Sequence, residues 1–243
     1  RRYLIRMIIF LAIVGSIATL LWAPLHDAFM GNPALNSVIL GALLLGIIYV
    51  VRQTLRLSPE QRWPVGVQKN GKLKQANAKP MLLATVYAML ADQHQGEHLS
   101  ALSLRSVLDG VAARLDEGRE ISRYMIGLLV FLGLLGTFWG LLQTIGAVGK
   151  VVGSLDADSA NFEVMMSQLR NGLDAPLSGM ATAFSSSLFG LAGSLVLGFL
   201  DLQLGQAMGR FFNDLEDWLS AFAKFNEGGT RPDNVNSGAL ASG

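Results

Sequence analysis

Residues Gly133–Gly146 read GLLGTFWGLLQTIG and lie inside an apolar run, Met125–Val148, long enough to cross a membrane. Two threonines, a glutamine, a tryptophan and four glycines fall within these few turns, and lipid rewards none of the polar groups. At membrane depth each such group needs a partner, because no water is there to take its hydrogen bonds. Gly133, Thr137, Gly140 and Thr144 follow one another at spacings of four, three and four, which places them on one helical face, with Gly136 and Gln143 beside it.

A second stretch repeats the pattern. ATAFSSSLFGLAGS, Ala181–Ser194, lies within the apolar run Met180–Leu200 and sets Thr182, Ser186, Gly190 and Gly193 on one face, with Ser185 and Ser187 nearby. A single face of this kind reads as small-xxx-small packing, which lets membrane helices approach closely. Two of them on neighbouring helices also read as a narrow hydrated path or a socket for another helix. Every Asp, Glu, Lys or Arg between Tyr124 and Leu200 belongs to the connection between the two runs: Lys150, Asp156, Asp158, Glu163, Arg170 and Asp174. A proton relay generally uses an ionisable group at membrane depth, so a relay here would take its carboxylate from another chain.

Working outward, Tyr3–Trp22 and Pro33–Val51 also reach the roughly 20 apolar residues that a span requires. The expected fold is an all-α membrane protein with four transmembrane helices. Composition agrees: of 243 residues 51% are hydrophobic and 15% charged, against about a quarter charged in soluble domains. Arg6 sits about one turn inside the first span, where its long side chain reaches the interface. The distribution of Lys and Arg sets the orientation. Arg1, Arg2 and Arg6 open the chain, the short loop Ala23–Asn32 has neither, and the segment from Arg52 to Arg123 is rich in both. The N- and C-termini are therefore expected in the cytoplasm.

The division that follows is residues 1–51 for the first two spans, 52–123 for a cytoplasmic linker and helices, 124–200 for spans three and four, and 201–243 for a cytoplasmic helix and tail. Pro59–Pro80 is punctuated by Gly and Pro and reads as a linker. Met81–Arg123 reads as amphipathic helix broken near Gly96, with an apolar stripe of Ala101, Leu104, Val107, Leu108, Val111 and Leu115. No proline separates it from the third span, so one helix is expected to run straight into the membrane. Beyond Leu204 a second extension carries Phe211, Leu215, Trp218, Leu219 and Phe222 on one side. The chain opens on Arg1 rather than Met, so the native start is expected upstream, and GALASG at the end reads as tail.

GLLGTFWGL, followed after the intervening connection by MATAFSSSLFGL, resembles the MotA/TolQ/ExbB proton-channel family from Ile121 to about Phe211. The landmarks of that family are a G-T-x-W-G stretch on one pore helix and an A-T-A stretch on the next. The resemblance implies a homopentameric ring, with spans one and two outside, around the membrane helices of a MotB/TolR/ExbD-like single-span partner dimer. The partner's membrane aspartate would take and release the ion, H⁺ or Na⁺. Thr137 and Thr182 would line the ion path, with Ser186 one turn further. Gly133, Gly136, Gly140, Thr144, Trp139 and Gly190 would pack the partner helix. The implied activity is ion-driven mechanical work at a bacterial inner membrane, by a subunit that is not an enzyme and takes no cofactor. The four-span layout is nearer MotA, whereas the GTFWG text is nearer TolQ and ExbB. Leu177 stands where some ExbB-like chains carry a glutamate, so no acid is carried over there. A non-conducting helical scaffold, packing through the same small faces, is the alternative.

Other groups support less. There is no cysteine, hence no disulfide, thiolate metal site or cysteine nucleophile. A net charge of +1 without a clustered basic face gives nucleic-acid binding no support. No Walker-type phosphate loop is present. His94 and His98 share helical spacing near Asp92 and Glu97, but without a fuller ligand set a solvated pair is the simpler reading. Arg105, Arg114, Glu117, Arg119 and Glu120 read equally as a rotor-binding face and as the solvated side of an amphipathic helix.

Overall fold

A computed structural model describes residues 2–60, 101–154 and 162–228, all helical apart from the short joints between helices. In chain order the helices are α1 (Arg2–Leu20), α2 (Trp22–Gly31), α3 (Pro33–Glu60), α4 (Ala101–Ser154), α5 (Phe162–Gly172) and α6 (Asp174–Gly228). Four of them, α1, α3, α4 and α6, are long and apolar enough to cross a membrane. The expected linker beyond Glu60 and the break near Gly96 lie outside the described residues, as do His94 and His98.

α4 is a single helix of 54 residues, so the amphipathic segment does run without interruption into the third span. Pro176 lies in the first turn of α6, where its missing N–H has no intrahelical role. Two segments read as loops are helical instead. Ala23–Asn32 forms most of α2, because Pro24 falls in that helix's first turn and the remaining residues tolerate helix. Within Lys150–Asp174, α4 continues to Ser154 and α5 occupies Phe162–Gly172. Asn32 then caps α3: its Oδ1 accepts from the Leu35 amide at 3.2 Å, ahead of Pro33 at the first helical position.

The chain divides into two compact units. The first, Arg1–Leu55 with Glu117–Gln206, is organised around α6. Phe10 of α1 stacks on Phe199 at 4.0 Å between ring centroids. Gly46 of α3 leaves room for Leu197, which would lie 2.6 Å from a Cβ there. α1 is tied to α3 by Thr54 Oγ1, which donates to Met7 Sδ, and α3 to α4 by the Tyr49 hydroxyl, which donates to Gly118 O at 3.0 Å. Much of the remaining apolar surface is exposed, as a lipid-facing or assembled bundle requires.

The second unit, Arg56–Asp116 with Ala207–Gly243, carries buried stripes at helical spacing. Val107, Leu108, Val111 and Leu115 are buried on α4, and Phe211, Leu215 and Leu219 on α6, as the periodicity predicts. The side chains of Ala101, Leu104 and Phe222 are outside the described set.

Candidate functional site

The faces of small residues on α4 and α6 meet each other. A Cβ added at Gly190 would lie 2.5 Å from Gly133 Cα and 2.7 Å from Leu129 O, so backbone faces backbone with nothing flexible to yield. One at Gly140 would lie 2.5 Å from Ala183 Cβ and 2.6 Å from Gly179 O, while Gly136 abuts Ser186. Thr144 closes the row by donating to Gly140 O at 2.9 Å on its own helix and reaching Pro176 O at 3.3 Å. Gly133, Gly136, Gly140 and Gly190 are thus buried within one chain. Within the single chain the helices they join are α4 and α6.

The hydroxyls divide between two sides. Thr182 is 4% exposed and Ser186 0% exposed, both turned toward α2 and α3. Ser186 Oγ donates to Asn36 Oδ1 at 2.9 Å, and Asn36 Nδ2 donates to the carbonyls of Ala28 at 3.2 Å and Phe29 at 3.1 Å. Thr182 Oγ1 lies 3.2 Å from Gly31 O and 3.0 Å from Ser178 O. The last carbonyls of a helix have no intrahelical donor, and α2 ends at Gly31. Asn36 and Thr182 therefore supply from neighbouring helices the donors that the end of α2 lacks. Thr137 differs: half-buried, it donates to Leu134 O of its own helix at 2.6 Å and is not bonded to Thr182 or Ser186. Trp139, two residues on, is 53% exposed.

A third contact joins α4 and α6 near the boundary of the first unit. Arg119 Nη2 donates to Asp201 Oδ2 at 3.0 Å, with side-chain exposures of 23% and 10%. Asp201 follows directly on the apolar run that ends at Leu200, and Arg119 precedes by six residues the one that begins at Met125. Arg119 is therefore half-buried in an ion pair, whereas Arg105, Arg114, Glu117 and Glu120 are exposed. Arg119 Nε, Asp201 Oδ1, Ser122 Oγ and Gln203 Oε1 are buried without a hydrogen bond among the described residues.

Sequence reading missed Asn36 and Asp201. Asn36 is the only side-chain amide in Pro33–Val51, which is a legible signal; Asp201 stands one residue outside the apolar run Met180–Leu200. His26 is exposed beside Asp27 at 3.8 Å and near Trp22, with no further ligand-forming neighbours among the described residues.

The chain matches the family model described as the MotA/TolQ/ExbB proton channel family over residues 74–216. The match covers more than half the chain, takes in Arg119, Thr137, Thr182, Ser186 and Asp201, and leaves α1 to α3 outside it. No curated protein matches the chain.

Proposed function

The chain belongs to the MotA/TolQ/ExbB proton channel family, and on that premise we propose that it is the ring-forming subunit of an ion-driven motor in a bacterial inner membrane. In this reading five copies surround a MotB/TolR/ExbD-like single-span dimer, and a membrane aspartate of that partner loads and unloads the ion as it moves. The ion is H⁺, with Na⁺ served by the same architecture. The driving force is about 2.3 kcal/mol per charge for each 100 mV, ample for mechanical work. The outer ring is residues 1–51, the pore-lining pair 124–200, and the cytoplasmic parts 52–123 and 201–243. The observation that carries the proposal is the family match across both glycine- and hydroxyl-bearing helices, whose apolar runs hold no titratable group of their own.

Thr137, Thr182 and Ser186 are the proposed ion-path residues. In this proposal Thr137, the most open of the three, and the exposed Trp139 turn toward the partner. One observation favours the alternative of a non-conducting scaffold: Thr182 and Ser186 already bond the chain's own α2 and α3. Native mass measurement of the complex isolated from membranes tests the proposal. Several copies of this chain with fewer of a single-span protein bearing a membrane Asp are expected; a stable monomer contradicts it. Orientation is checked separately in whole cells, where the absence of native cysteine leaves single introduced thiols as the only targets on this chain. Cysteines replacing Asp27 and Ser159 should react with an impermeant maleimide in intact cells, and cysteines replacing Gln75 and Ser220 only after lysis.

A further inference from the structure

α4 and α6 are also joined apart from the Arg119–Asp201 pair. Glycine contacts join the same helices over their membrane runs, and a buried ion pair is often matched or bettered in stability by apolar residues of similar size. This pair is costlier than most, because Arg119 Nε, Asp201 Oδ1 and Ser122 Oγ are left without hydrogen bonds among the described residues. Those atoms are a donor, an acceptor and a group that does both. Such a set matches one or two bound waters, each of which typically makes about three hydrogen bonds to buried polar groups. The pair is also closely confined. The Arg119 guanidinium lies across α6 over Gly205, where a Cβ would stand 2.7 Å from Arg119 Cζ, and Ser122 is 0% exposed one turn along α4.

Position gives the site a use. Thr137 lies 18 residues beyond Arg119 on α4, and Thr182 lies 19 residues before Asp201 on α6. At about 1.5 Å per residue these separations are about 27 and 28 Å, close to one hydrocarbon thickness. Asp201 therefore stands at the opposite end of its apolar run from Thr182, and Arg119 lies outside the run that holds Thr137 near its middle.

We infer that Arg119, Ser122 and Asp201 bind water, and that this hydrated ion pair is the exit station of the proposed ion route. The inference rests on the channel reading above. A bound water there takes a proton from the route as it passes another toward the cytoplasm, and ends unchanged. Asp201 Oδ1 accepts from that water and Arg119 Nε donates to it, so both act as positioning residues.

The test uses the complex isolated with its single-span partner. A density map fine enough to show ordered water is expected to place a peak within hydrogen-bonding distance of Arg119 Nε and Asp201 Oδ1. The double variant Arg119→Met with Asp201→Leu replaces the pair by apolar residues, and Asp201→Asn keeps its shape should the double variant not assemble. Proton flux into liposomes through either assembled variant is expected to fall about 10²-fold, the low end of what a positioned proton-transfer group contributes. A dry contact at the pair, or an assembled apolar pair that conducts like wild type, overturns the inference and leaves the channel reading standing. A wild-type complex without flux overturns the channel reading itself.

Discussion

α4 and α6 touch in two chemically opposite ways. Along the membrane runs the contact is backbone on backbone, Gly133 on Gly190 and Gly140 on Ala183, with no charge between them. Near Arg119 and Asp201 the same helices meet through an ion pair beside polar atoms that have no hydrogen bond among the described residues. The first contact is what close packing alone selects, since small residues let backbones approach where lipid offers no hydrophobic drive. The second is one that apolar residues of similar size often match or better in stability. The polar text of Gly133–Gly146 thus splits: Gly133, Gly136 and Gly140 pack against the chain's own α6, and Thr137 and Trp139 remain on the more open side.

Variants break or sharpen that comparison. The largest effect is expected at the glycine contact. Gly190→Leu places a side chain against Gly133 Cα and Leu129 O, neither of which can rotate away, so a loss of about 3 kcal/mol or more is expected, read as failure to recover the oligomer. Asp201→Ala should follow, costing about 3 kcal/mol by leaving Arg119 part-buried and unpaired, while the double variant Arg119→Met with Asp201→Leu unfolds near wild type. If the single and double changes cost the same, the two contacts are not different in kind.

Smaller effects separate the hydroxyls. Asn36→Leu strands the carbonyls of Ala28 and Phe29 and should cost about 2 kcal/mol in thermal unfolding of the detergent-solubilised complex. Thr182→Val removes one donor at Gly31 O and should cost about 1 kcal/mol, with Thr182→Ser restoring it. Thr137→Val should change stability by less than about 0.5 kcal/mol, because its hydroxyl only bonds its own helix. On the proposed function it nonetheless abolishes flux. Normal flux in Thr137→Val and Thr182→Val together would remove both residues from the ion path.

How far the sequence reached depends on whether a feature is periodic. Spans of apolar residues, the stripe Val107–Leu115 and the small faces at Gly133 and Gly190 are all repeats along one helix, and each was legible. α2 was not, because ten residues holding Pro24 and ending at Gly31 look like punctuation until the proline is seen to lie in the first turn. The Arg119–Asp201 pair was not legible either: its members are 82 residues apart on different helices, and no pattern within either helix announces the other. Which side of α6 the Thr182 and Ser186 hydroxyls face was equally hidden, since it is decided by Asn36 and the end of α2.

The central claim is that this chain carries ions only with an acid supplied by a partner helix. Proton flux into liposomes under an imposed potential tests it most directly, with this chain alone, with its single-span partner, and with the partner's membrane Asp→Asn. The account predicts a tight bilayer for the chain alone, flux for the complex and none for the Asn variant. Robust flux from this chain alone, or flux indifferent to Asp→Asn, would contradict it.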